Sequence, residues 1–194
     1  MLFEVLRVIA RQVEEHTGND VTLGNIALLD EASNGQLDDT ILLSLINMSE
    51  ENTMKNFRNV QQIGNVSLTK QPVINLNLFI LFTVNRGITQ YDAELRDLSE
   101  IVEFFQGKKV FTQSNTIYNH STNEMNPLSE LDNFQFRVEM YTPTFEEQSY
   151  IWGSLGGKQR PSVVYKVSVI QIESQAIQSQ GGVITETDQT LNHL

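Results

Sequence analysis

The sequence predicts a single α/β (α+β) domain in which a mixed, mainly antiparallel sheet is packed by about three helices. Two patterns predict it. Apolar residues recur at helical spacing in separated stretches, and between those stretches apolar and polar residues alternate with period two. Size agrees, since 194 residues, 40% of them hydrophobic, suit one sizeable core. The domain is expected over residues 1–173, followed by a polar C-terminal tail over residues 174–194.

The first element is a helix over residues 2–16. Leu2, Leu6, Ile9 and Val13 form its apolar stripe, Arg7, Arg11, Glu14 and Glu15 take the other side, and Gly18 ends it. Ile41 to Met48 reads as a strand. So does the run from Ile74 to Val84, where Ile74, Leu76, Leu78, Ile80, Phe82 and Val84 alternate with Asn75, Asn77 and Thr83. Because Phe79 and Leu81 are apolar as well, this strand is expected to be covered on both faces and central.

Helical period returns over residues 90–106, with Tyr91, Leu95, Leu98, Val102 and Phe105 on one stripe and Ile101 and Phe104 beside it. Thr89 is placed to cap it, with Asp92 as the capping-box acid, and Gly107 to stop it. Gln113 to Asn133 is polar and too long for an ordinary connector, so it is either a contact-bearing loop or a mobile one. Phe134, Phe136, Val138 and Met140 alternate with Gln135, Arg137 and Glu139 as a strand. A short helix over residues 145–155 follows, opened by a Thr144/Glu147 capping box and stopped by Gly156-Gly157 in a left-handed turn. A last strand carries Val163, Tyr165, Val167 and Val169 and runs to Ile172. Beyond Glu173 the composition turns to Gln, Ser, Thr, Asn and Gly, a tail expected to have no core of its own.

Composition narrows the function. A net charge of -11 argues against a nucleic-acid or anionic-membrane partner, which requires an excess of clustered Lys and Arg. Without cysteine there is no thiol nucleophile and no Cys-based metal site. His16, His120 and His193 lack ligand spacing, so no metal site is expected. The acidic pairs Glu14-Glu15, Asp38-Asp39, Glu50-Glu51 and Glu146-Glu147 read as solvated surface rather than as acid and base. Gly153 to Gln159 mimics a phosphate loop but has Trp152 where Gly is needed and Gln159 where Ser or Thr is needed, and it follows a helix instead of opening one. No catalytic residue and no cofactor is expected. Glu4, Arg7 and Arg11 interrupt what would have to be the uncharged run of a signal peptide, and Leu76 to Val84 falls short of the roughly 20 residues of a membrane span. The chain is therefore expected to be soluble, to make no membrane contact and to be cytoplasmic on synthesis.

Two motifs carry more specific information. The first runs from Tyr91 to Gln106 through Leu95, Leu98, Phe104 and Phe105 and continues into Val110-Phe111-Thr112. The second is Trp152-Gly153-Ser154-Leu155-Gly156-Gly157-Lys158-Gln159-Arg160-Pro161-Ser162, followed by Val164-Tyr165-Lys166-Val167. Together, and in this order, they resemble the signatures of the cap, or tail-terminator, proteins of extracellular contractile injection systems of the antifeeding-prophage and virulence-cassette type. The resemblance implies a tail-terminator-like fold and a non-enzymatic subunit. It further implies a homo-oligomer in the form of a hexameric ring, with the inner tube and sheath proteins of a phage-tail-like particle as partners. The particle could be released or membrane-anchored. A tube subunit, a baseplate adaptor and a small-molecule-binding enzyme are the alternatives.

Within the second motif the residues allow two readings. Between Glu147 and Glu173 there is no acidic residue, while Lys158, Arg160 and Lys166 all fall there. This basic segment in an acidic chain could face a carboxylate-bearing partner, since Arg binds carboxylates bidentately. The alternative is structural: Trp152 and Leu155 in the core, Gly156 and Gly157 ending the helix and Pro161 leading into the strand.

Overall fold

The computed structural model describes residues 2–29, 39–51, 60–63, 66–70, 74–86, 90–116, 134–156, 158–172 and 177–182. Of residues 60–63, 66–70, 169–172 and 177–182 only the backbone is described. The chain divides into a larger unit of residues 1–50 and 76–170 and a smaller one of residues 51–75 and 171–194.

In the larger unit, α1 spans Leu2–Thr17 and buries Val5, Val8, Ile9, Ala10 and Val13, with Leu2 and Leu6 only partly covered. The apolar stripe is thus centred on Val5, Val8, Ile9 and Val13, a small rotation from the expected one. Gly18 ends the helix at φ 70, where its N–H bonds the carbonyl of Glu14 at 2.9 Å, a conformation that glycine adopts without steric penalty. The strands are β1 (Val21–Leu23) and β2 (Thr40–Glu50), with a 3-10 turn at Ile26–Leu28 between them, and β5 (Ile74–Asn85), β6 (Val110–Thr112), β7 (Gln135–Tyr141) and β8 (Ser162–Ile172). They form a six-stranded sheet in the order β1-β2-β5-β8-β7-β6. Its pairs β2/β5, β6/β7 and β7/β8 are antiparallel and β1/β2 is parallel, so the sheet is mixed and mainly antiparallel, as expected.

The alternation of β5 places Leu78, Ile80, Phe82 and Val84 on one face and Leu81 and Thr83 on the other, all of them buried. The first face, joined by Ile41 and Leu43 of β2, Phe136 and Val138 of β7 and Tyr165 and Val167 of β8, packs against α1 and against α2, which spans Tyr91–Gly107. Aromatic rings fill its centre: Phe105 lies 4.4 Å from Tyr165, and Phe111 stacks on Phe136 at 5.0 Å. The opposite face carries α3, Phe145–Ser154, through a second cluster of Ile26, Leu81, Trp152 and Val164. Helices on both faces of a sheet are one of the few ways to bury two apolar faces at once.

One expectation about α2 is corrected. The described residue before the helix, Gln90, makes no side-chain capping bond, and Asp92 lies 3.9 Å from Arg96, one turn on. The expected Thr89 cap lies outside the described residues. Tyr91 and Leu95 do not lie on the buried stripe: they are 57% and 44% exposed, while Glu94, Asp97, Ile101 and Phe105 are buried. The cause is polar. Arg86 and Asn19 offer donors to Glu94 and Asp97, and satisfying them rotates the first turns of the helix away from the purely apolar solution.

In the smaller unit, β3 (Val60–Ile63), β4 (Val66–Lys70) and β9 (Ile177–Gly182) form a three-stranded antiparallel sheet in the order β3-β4-β9. A polar tail was expected from residue 174. Part of it is a strand instead, registered on β4 from Val66↔Gly182 to Lys70↔Ile177, because backbone pairing demands no apolar side chains. The expected contact-bearing or mobile loop lies, from residue 117 to 133, outside the described residues, as do His120 and His193.

Candidate interaction surface

Thr144 opens α3 with a complete capping box. Its hydroxyl accepts from the Glu147 N–H at 3.2 Å, and the Glu147 carboxylate accepts from the Thr144 N–H at 2.8 Å. Two helix-end donors are thereby satisfied at a point where the chain leaves β7. The box also fixes the charge of Glu147. Its carboxyl is held below the usual range, first by the Thr144 N–H and then by the Tyr141 hydroxyl, which donates at 3.2 Å. The same bond raises Tyr141 above an ordinary phenol.

The helix anchors itself by Trp152, 5% exposed, against Ile26, Leu81 and Val164, with Leu155 packed at its margin. Gly156 follows at φ 105, where a Cβ would be strained even though nothing lies within 4 Å. The turn delivers the chain to β8: the Pro161 carbonyl accepts from the Thr83 hydroxyl at 2.9 Å, and Arg160 donates to Asn85 Oδ1 at 2.8 Å. Trp152, Leu155, Gly156 and Pro161 are thus all engaged in the fold. Gly157 is outside the described residues. Lys158 is exposed, Arg160 half-buried on Asn85, and Lys166 half-buried in β8 opposite Glu139 of β7. The three cations therefore do not converge on one point. In the first motif, Leu98, Phe104 and Phe105 pack with the α1/α2 core, whereas Tyr91 and Leu95 are surface residues.

A groove of about 370 Å³ runs along α3, and no motif announces it. A register shift in β2 between Leu45 and Asn47 lets Ile46 join its floor. Phe79 and Tyr141 complete that floor, edge to face at 5.2 Å, and Tyr150, Ile151 and Leu155 form the wall. Asn47, Glu147 and Ser154 supply its polar lining. Beside it α3 exposes Phe145 at 91% and Tyr150 at 71%.

Among the described residues no three His, Cys, Asp or Glu side chains are grouped as a metal site would require, and no helix is long and apolar enough to cross a membrane.

Sheet order, helix placement and the second motif together define a terminator-like α+β domain, and the comparisons agree. The chain belongs to the family of the Pvc16 N-terminal domain, whose model matches residues 4–186. No curated protein matches the sequence. Among solved structures, it is similar to the sheath/tube terminator of an extracellular contractile injection system, PVC, in the extended state. The TM-score is 0.66 at 13% identity, over 100% of this chain and 64% of that one. It is also similar to the tube-terminating cap of the anti-feeding prophage, with a TM-score of 0.62 at 13% identity, over 98% of this chain and 62% of that one. The chain therefore spans just under two thirds of the length of each. At this identity the likeness is one of fold.

Proposed function

We propose that this chain is a cap, or terminator, subunit of a contractile injection particle, and that it closes into a hexameric ring which ends the inner tube and the sheath. The observation that carries the reading is the coincidence of family membership over residues 4–186 with a fold match, over all of this chain, to part of a sheath/tube terminator. The role is structural and requires no catalysis. A terminator stops growth by presenting one face that docks on the last layer and another that offers the next layer nothing. A ring closes when the rotation between neighbouring head-to-tail contacts divides a full turn. Lys158, Arg160 and Lys166 are candidates for such contacts. Deleting the gene tests the role: tubes or sheaths of abnormal length or stability, with baseplates still formed, are expected, and particles of normal length and stability would overturn it. Imaging of capped particle ends tests the ring, and a single copy at the tube end would exclude it.

A further inference from the structure

From the aromatic groove along α3 we infer a docking site for a basic side chain, Arg or Lys, carried beside an apolar residue on a partner protein other than a second copy of this chain. The floor of Phe79 and Tyr141 and the wall of Tyr150 present aromatic surface to whatever enters, and ring faces attract cations. Ile46, Ile151 and Leu155 supply the dry surface that an aliphatic stem and an apolar neighbour need. The lining also holds one carboxylate. Glu147, kept ionised by the Thr144 N–H and the Tyr141 hydroxyl, retains lone pairs for an incoming cation, and Glu146 accepts from the Tyr150 hydroxyl at 3.4 Å on the same helix. Phe145 and Tyr150, both well exposed beside the groove, are the residue types that dominate protein contacts.

Charge decides the occupant. The groove is lined by Glu147 and aromatic rings and by no Lys or Arg, so it attracts a basic partner surface, and the Lys158, Arg160 and Lys166 assigned above to ring contacts lie outside it. The inference rests on the proposed assembly role only for the partner's being a particle protein. The test below uses the isolated chain and so fails separately from any test of particle length.

The probe is the capped dipeptide Ac-Leu-Arg-NH2, with Ac-Leu-Gln-NH2 as control, followed through the ring resonances of Tyr141 and Tyr150 by NMR. The Arg dipeptide is expected to half-saturate at least tenfold below the Gln dipeptide and to weaken with added salt. Glu147→Gln keeps the capping-box geometry, since Gln serves at that position, and should remove most of the Arg preference while the fold persists. Tyr150→Ala, at an exposed position, should weaken both dipeptides. Equal binding of the two dipeptides, or shifts confined to residues outside the groove, overturns the inference. A concentration-dependent dimer in sedimentation that Tyr150→Ala abolishes would overturn it too, by assigning the groove to a second copy.

Discussion

Arg86 donates from Nε to Oδ2 of Asp97 at 2.6 Å, joining the end of β5 to the second turn of α2. Asn19, just past α1, bridges the pair: its amide donates to Asp97 Oδ1 at 3.2 Å and its carbonyl oxygen accepts from Arg86 at 3.2 Å. With the Arg86 N–H on Glu94 at 3.1 Å, the ends of α1 and β5 and the first turns of α2 share one polar junction. The side chains of Arg86 and Asp97 are only 19% and 9% exposed, so water screens the pair weakly. Asp97→Ala is expected to destabilise the chain by about 3 kcal/mol, because it strands a guanidinium among partly buried groups. Urea unfolding checks this, and a loss below about 1 kcal/mol would mean that the junction contributes no more than a surface pair.

Tyr165 gives a prediction of opposite sign. Its hydroxyl is buried with no hydrogen-bond partner among the described residues, in the aromatic centre beside Phe82 and Phe105. Tyr165→Phe removes the unpaired group and should stabilise the fold by about 1 kcal/mol. Burial also pushes the phenol up to about 12. Because the folded value lies above the unfolded value of about 10, stability is unaffected below that pH. It should fall by up to about 2–3 kcal/mol as pH rises from 10 to 12, since only the unfolded chain releases the proton there. Melting curves of the wild type and Tyr165→Phe at pH 8 and 11 should diverge at the higher pH.

Two glycines of the second motif should respond differently to alanine. Gly153 is exposed inside α3 with open space where a Cβ would sit, so Gly153→Ala should stabilise by about 0.4–1 kcal/mol. Gly156 at φ 105 should lose about 1–2 kcal/mol on the same change. Equal effects in thermal unfolding would show that the turn after α3 relaxes out of its left-handed conformation.

Lys158 tests the proposed contacts. It is exposed, so Lys158→Glu should change stability by less than about 0.5 kcal/mol while impairing ring closure or docking, because like charges facing across an interface repel. Arg160→Glu differs, since it also removes the bond to Asn85, and some loss of stability should accompany it. Normal assembly by Lys158→Glu would remove Lys158 from the contact surface.

Period located α1, β5, α2, β7 and β8, because each carries apolar residues enough to show its spacing; β2 was found as an apolar run and α3 by its capping box and the glycines that follow it. The α2 stripe was misread at Tyr91 and Leu95 because a buried polar junction outranked apolar spacing, and Arg86, its organiser, sits outside the helix. β9 escaped because Gln, Ser and Gly pair through their backbone without a hydrophobic signature. The Gly64-Asn65 dipeptide between β3 and β4 is a hairpin signal that could have found that pair. The Thr144/Glu147 capping box was legible ahead of the second motif, and Trp152 and Gly156 stand where its structural reading put them, in the core and in the turn that ends α3. The groove was not, since Ile46, Phe79, Tyr141 and Tyr150 converge only after folding.

The shifted register at Leu45 and Asn47 has a bearing on solubility. Among the described residues β1 pairs with β2 along Ile41–Leu43, and beyond it Leu45 and Met48 show 39% and 49% of their surface to solvent. A straight strand with such side chains is a template on which foreign chains can polymerise. Here the bulge interrupts the regular spacing of donors and acceptors, and Asn47 Oδ1 occupies the Met48 N–H at 2.8 Å from within the chain. An incoming strand finds neither a continuous ladder nor that donor. The chain is thereby protected from fibril growth at the margin of its own sheet.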